Sequence, residues 1–85
     1  MGEIERLPNI GKVVAQQLSE VGINTYAELK EIGAKEAWLR IKKIDDSACI
    51  HRLYAIEGAI EGIKKTQLAP EMKAELKAFY DQHKN

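Results

Sequence analysis

The chain is short of cysteine and proline and has no excess of either charge, and these shortages narrow what it can be. Its single cysteine, Cys49, excludes an intramolecular disulfide and any zinc site built from several cysteines. A free thiol in a small domain held by its core alone fits a reducing compartment. No apolar run approaches the roughly 20 residues that a membrane-spanning helix needs. The N-terminus carries Glu3 and Glu5 and no apolar stretch, so no signal peptide is expected there. The expectation is a soluble, cytoplasmic protein that makes no use of a membrane. No glycine-rich phosphate loop, HExxH or nucleophile elbow occurs, which removes the common catalytic signatures.

Charge is balanced, with 13 bases against 13 acids. Strong non-specific nucleic-acid binding needs a positive excess to release counterions, so this balance counts against it. The distribution is uneven, however. Residues 25–44 and 63–85 each carry five bases and three acids, whereas 45–62 carry one base and four acids. The basic segments are placed to form local patches, although exposed helices also carry such an excess for solvation alone. With 85 residues, 45% of them hydrophobic, the chain is expected to form one domain, 1–85, with a modest core.

The pattern of apolar residues is helical throughout. After Gly11, Val14, Leu18 and Val21 recur at i, i+4, i+7, with Val13 widening the stripe. Gly22 can take the left-handed position after a helix, with Ile23 supplying the hydrophobic contact of a Schellman motif. Thr25 and Glu28 have capping-box spacing. Behind them Tyr26, Leu29 and Ile32 form a short stripe ended by Gly33. A third helix over 34–44 carries Ala37, Trp38, Ile41 and Ile44 on or near one face. "DDSA" (Asp45 to Ala48) offers N-cap oxygens to a fourth helix, about 49–63. That helix turns Leu53, Ile56, Ile60 and Ile63 inward, with Ile50 and Tyr54 beside them. Gly58 and Gly62, four apart within it, predict close contact with a neighbouring helix, and Glu57 and Glu61 exclude the membrane form of that motif. After the linker "KKTQLA", Pro70 suits the first position of a last helix. There Met72, Leu76, Phe79 and Tyr80 form a stripe expected to cover the domain's own core. "LPNIGKVVA" and "LKEIGAKEA" also align at a period of 22, either as two turn-plus-helix units or as two ordinary helix corners.

Candidate catalytic groups are scattered. Cys49 and His51, two apart on a helix, point roughly 200° from each other and cannot form a local dyad. Cys49 reads as a small, partly buried helix-start residue, His51 as solvent-facing, and His83 as a complement to a helix C-terminus. Glu57 and Glu61 read as solvated, Asp45 and Asp46 as caps, and Trp38, Tyr26 and Tyr54 as core. No enzyme activity, metal, cofactor or small-molecule substrate is expected.

The stretch that carries chemistry is "LPNIG", Leu7 to Gly11. Pro8 fixes φ and begins a tight turn. Asn9 tolerates a left-handed backbone. Ile10 anchors the corner, Gly11 lets a partner approach the backbone, and Ala15 leaves room for a neighbouring helix. The segment resembles the helix–hairpin–helix motif, Leu-Pro-Gly-Ile/Val-Gly-x-x-x-Ala, with asparagine in place of the first glycine. In DNA-binding members of that group the hairpin amides and the next helix N-terminus face a backbone phosphate. The resemblance therefore nominates Asn9, Ile10, Gly11 and Lys12 as nucleic-acid contacts. Lys35 with Arg40, Lys42 and Lys43 would make a second patch.

A longer resemblance covers nearly the whole chain. "LPNIGKVVAQQLSEVGINTYAELKEIGAKEAWLRIK", then "LYAIEGAIEGI" and "KAELKAFY", resembles the C-terminal domain of the TfoX/Sxy competence-regulator family, in which "LPNIG" with asparagine is usual. The resemblance implies an all-α, compact five-helix domain with a helix–hairpin–helix (SAM-domain-like) core. It also implies a link to DNA transformation through transcriptional activation. Better-known members carry a further N-terminal domain, so this chain reads as a stand-alone copy. Its expected partners are duplex DNA through backbone contacts, a transcription regulator, or a separate TfoX N-terminal-like protein. The alternative is a protein–protein interaction domain whose hairpin is purely structural.

Overall fold

The segment richest in small and branched apolar residues lies at the centre of the fold. In the computed structural model, which describes residues 3–84, helix α4 (Ile50–Glu61) buries Leu53, Ile56 and Ala59 completely, with Ala55 and Gly58 close behind. Apolar residues on more than one face make a helix that must be surrounded. Around it stand α1 (Lys12–Glu20), α2 (Tyr26–Ile32), α3 (Ala34–Ile44) and α5 (Pro70–His83). Their inward residues are Leu18, Leu29, the trio Ala37–Trp38–Ile41, and Leu76. Two short 3-10 turns, Ile4–Arg6 and Lys65–Gln67, complete the described chain, in which no strand occurs. The radius of gyration, 11.6 Å, matches the roughly 12 Å of a compact domain of this length. The all-α, five-helix reading therefore holds.

Local chemistry sets most of the helix ends. Gly22 takes φ 90°, and the Ile23 and Gly22 amides donate to Leu18 and Ser19 carbonyls at 2.8 and 3.0 Å. That is the Schellman pair of bonds. Thr25 and Glu28 form the capping box, each accepting from the other's amide at 3.1 Å. Pro70 opens α5 at its first position.

Trp38, fully buried, joins three helices. Its Nε1–H donates to the Cys49 carbonyl at 3.2 Å, and its ring meets Phe79 and Tyr80 of α5 with centroids 6.2 and 5.5 Å away. The α5 stripe thus covers the domain's own core.

Several expectations are corrected. Gly62 does not lie within α4 but ends it, at φ 77°. Ile63 and Gly62 amides donate to Gly58 and Ala59 carbonyls at 2.9 and 3.2 Å, a second Schellman motif. The nearest atoms to Gly58 belong not to another α-helix but to the Asn9 side chain and the backbone of Ile63 and Lys65. A Cβ there would sit 2.5 Å from the Asn9 amide nitrogen and 2.8 Å from the Ile63 carbonyl oxygen. The "DDSA" oxygens do not cap α4, whose N-cap Cys49 makes no side-chain bond. The Asp45 carboxylate instead accepts from the Ser47 amide at 3.0 Å, closing an Asx turn. Ile44, expected near the core face, is the last residue of α3 and is 51% exposed. Before the corner, Ile4–Arg6 makes only one 3-10 turn.

Candidate functional site

The corner between residues 7 and 11 is tied to the far end of α4. Asn9 stands at φ 69°, the left-handed backbone that asparagine tolerates. Its side chain turns inward and bonds three backbone groups. Oδ1 accepts from the Lys65 amide at 3.0 Å. Nδ2 donates to the Ile63 carbonyl at 3.0 Å and more weakly to that of Ala55 at 3.4 Å. Ile10 is buried at 6% exposure, and its amide donates to the Leu7 carbonyl. Of the four residues nominated at the corner, Asn9 and Ile10 thus serve the fold, while Gly11 and Lys12 face solvent.

Gly11 is the N-cap of α1. No side chain caps the helix, and no acid lies in its first turn. The opening amides of a helix lack carbonyl partners and carry the positive end of its dipole. Gly11 has φ −102°, an ordinary backbone, and a Cβ there would meet nothing within 4 Å. Nothing inside the domain requires a glycine at this position. The residue matching Gly11 in the internal echo, Gly33, stands at φ 87°, so the two corners share a place before a helix but not a conformation.

The Asn9 bonds bring a further pair of cations to the corner. Lys64 and Lys65 follow directly on Ile63, and Lys12 lies three residues from Asn9, within about 10 Å along the chain. Arg6 lies three residues before it. Among the described residues, Arg6, Lys12, Lys64 and Lys65 form no ion pair. Nearby acids are Glu3, which accepts from the Tyr26 amide at 3.2 Å, and Glu5. With Lys12, Ile4, Ala15 and Ile23, Glu5 lines an open groove of about 510 Å³ along α1.

The expected second patch is dispersed. Lys35 reaches Glu75 of α5 at 2.6 Å, Arg40 pairs with Glu36 at 3.0 Å, and Lys42 lies 3.5 Å from Asp46. Arg40 also donates to the Val21 carbonyl at 3.4 Å, at the C-terminal end of α1. That is about 13 Å along the helix from Lys12. Lys43 alone of this group is exposed without an ion pair among the described residues. Arg52 is also engaged, donating to Asp45 at 2.9 Å and to Gln17 at 3.2 Å. Hydrogen bonds from Ser47, then Gln17 and Arg52, hold the Asp45 carboxyl well below the usual carboxylate range.

Sequence reasoning missed Lys64 and Lys65, which read as linker. No local signal pointed to them, because the bonds that bring them to the corner span more than 50 residues. Among the catalytic candidates, Cys49 is exposed rather than partly buried, and His51 is exposed as expected. The His51 ring stands against Tyr54, and His83 bonds the Phe79 carbonyl through Nδ1 at 2.9 Å. The described residues include no group of three His, Cys, Asp or Glu placed to hold a metal ion, and no helix long and apolar enough to cross a membrane.

Five helices packed with α4 at their centre, and a corner stapled to α4's end, define an all-α domain. A family model described as the TfoX C-terminal domain matches residues 1–80, and the chain belongs to that family. It is 33% identical to Protein Sxy of Escherichia coli (strain K12) over 78 residues, which are 92% of this chain and 37% of Sxy. The chain therefore spans little more than a third of that curated relative. It also matches the crystal structure of an uncharacterized protein from Listeria monocytogenes in a triclinic form. There the TM-score is 0.93 at 48% identity, covering 95% of this chain and 92% of that one. A protein of unknown function from Listeria monocytogenes in a tetragonal form matches with TM-score 0.88 at 50% identity, over 92% and 96% of the two chains.

Proposed function

We propose that this domain is a non-enzymatic binding module of a competence-type regulator, working in the cytoplasm, and that its corner holds the backbone of duplex DNA. The observation that supports this reading is the Asn9 staple, which ties the backbone of Ile63 and Lys65 to the corner three residues before Lys12 and the uncapped start of α1. Phosphate oxygens suit such a surface, since they accept from backbone amides and need no base-specific partner. Contacts of this kind position a protein without reading sequence, so a partner would supply the choice of target. With net charge zero the affinity of the domain alone is low, and the domain acts as one element of a transcription complex.

A salt titration with a short duplex tests this. Three neutralised phosphates give a slope of log K against log salt of about −3. Lys12→Glu, or Lys64→Glu with Lys65→Glu, weakens binding, and each lysine replaced by alanine flattens the slope by about 1. Absence of duplex binding at low salt overturns the reading. A second reading has its own observation: Val13, next to Lys12, is 66% exposed, while Lys35, Arg40 and Lys42 are held by the chain's own acids. On that reading the surface docks a protein, either a transcription regulator or a separate TfoX N-terminal-like chain. Val13→Asp then abolishes binding to that protein while Lys64→Glu leaves it intact.

A further inference from the structure

A second charged feature, independent of the corner, lies where α5 attaches. Lys35, at the start of α3, places its Nζ 2.6 Å from a Glu75 oxygen and 5.6 Å from the Phe79 ring centre, so it grips α5 twice. Beside it is a cavity of about 280 Å³ between α3, α4 and α5, lined by Ile32, Lys35, Glu57, Met72, Glu75 and Leu76. Glu57 enters this seam from α4, with Glu61 one helical turn further on. Glu57 therefore lines the same cavity as the Lys35–Glu75 pair where α5 meets the core, and like charges four apart on a helix, as Glu57 and Glu61 are, oppose each other.

We infer that this seam is a pH-sensitive clamp, in which α5 is held firmly while Glu57 is neutral and loosens as Glu57 ionises. Partial burial first, then the hydrogen bond with Glu61 and the charges of Glu61 and Glu75, push the Glu57 carboxyl up to about 7, and Lys35 opposes them. A carboxyl raised in the folded state adds stability that is complete below its ordinary value of 4.5 and is lost as pH rises through about 7. The groups facing Glu57 are Glu61 on its own helix, Glu75 on α5 and Lys35 on α3. The loss falls on α5 because Lys35 and Glu75 are the polar link between α3 and α5 at this cavity. The remaining attachment is apolar, through Leu76 and the Phe79 and Tyr80 rings on Trp38.

Trp38 is the only tryptophan in the chain, and its contacts with α5 make it a built-in reporter. The test follows Trp38 emission and amide hydrogen exchange of the whole chain between pH 5.5 and 7.5, with exchange corrected for its intrinsic pH dependence. The expected result is a loss of protection of about tenfold in α5, selectively over α1 and α2. This corresponds to one pKa unit after allowing for solvent screening of a half-exposed group. A shift in Trp38 emission should accompany it. Glu57→Gln removes most of this change, and Glu61→Gln removes part of it. A Glu57→Gln protein with the parent's pH response overturns the inference, as does a loss of protection spread evenly over all five helices.

Discussion

Asn9 is held at φ 69° while its side chain bonds the backbone of Ile63 and Lys65, 54 and 56 residues further on. Asn9→Ala leaves a part-buried carbonyl and amide without partners and puts alanine in a left-handed backbone. Together these cost about 3 kcal/mol in denaturant unfolding. Gly58→Ala drives a methyl to 2.5 Å from the Asn9 amide and 2.8 Å from the Ile63 carbonyl. The second of these is backbone and cannot swing aside. The expected net loss is about 1–2 kcal/mol, although alanine is the better helix former by about 1 kcal/mol. In an Asn9→Ala background the Gly58 substitution should cost measurably less, since one of its two clashes has gone. Strictly additive effects would show that the two residues do not act as a pair. The left-handed backbone of Asn9 was legible in "LPNIG", because it depends on the residue's own side chain. The direction of its amide was not. A partner more than 50 residues away leaves no local pattern, and an asparagine at a turn looks alike whether it faces phosphate or the chain's own carbonyls.

Among the elements, the same division separates helix ends from helix faces. The Thr25–Glu28 box and the Gly22–Ile23 ending were readable because each is completed within six residues. Gly62–Ile63 makes the same motif as Gly22–Ile23, but Gly58, four residues earlier, made both glycines look interior. They differ in what they require: Gly62 needs its positive φ, and Gly58 needs the space its missing Cβ leaves. Gly62→Ala is therefore expected to cost about 1 kcal/mol through backbone strain alone, with no coupling to Asn9. The start of α1 gives a sharper test of function. Gly11 has N-cap geometry and open space around it, so Gly11→Ser can cap the helix and should raise stability by a few tenths of a kcal/mol. The serine oxygen then occupies amides that a phosphate would use. A more stable protein that binds duplex DNA several-fold more weakly is the expected outcome. Equal or tighter binding would count against the corner as the contact.

For the whole molecule, balanced charge hides a sorted arrangement. Lys35, Arg40, Lys42 and Arg52 are neutralised by the chain's own acids, whereas Lys12, Lys64 and Lys65, like Arg6, Lys30, Lys43 and Lys73, form no ion pair among the described residues. Composition could not show this, because it counts charges without their neighbours. Glu57 was read as solvated for the same reason, since the Glu75 and Lys35 that surround it come from other helices. The two perturbed carboxyls predict the shape of the stability curve. Asp45 lies below its ordinary value of 3.8, so its contribution is complete above about pH 4 and is lost progressively as pH falls further. Glu57 has the opposite sign, its contribution fading as pH rises through about 7. Stability should therefore peak at roughly pH 4 to 4.5 and decline on both sides, with the two limbs owned by different residues. Thermal midpoints of the Asp45→Asn protein should fall less steeply than the parent's below pH 4 and run parallel to them above pH 6. Those of Glu57→Gln should do the reverse, keeping the acid limb and flattening the neutral one by about 1 kcal/mol. If both variants altered the same limb, the two networks would be coupled through α4, which carries Arg52 and Glu57 on a single rigid element.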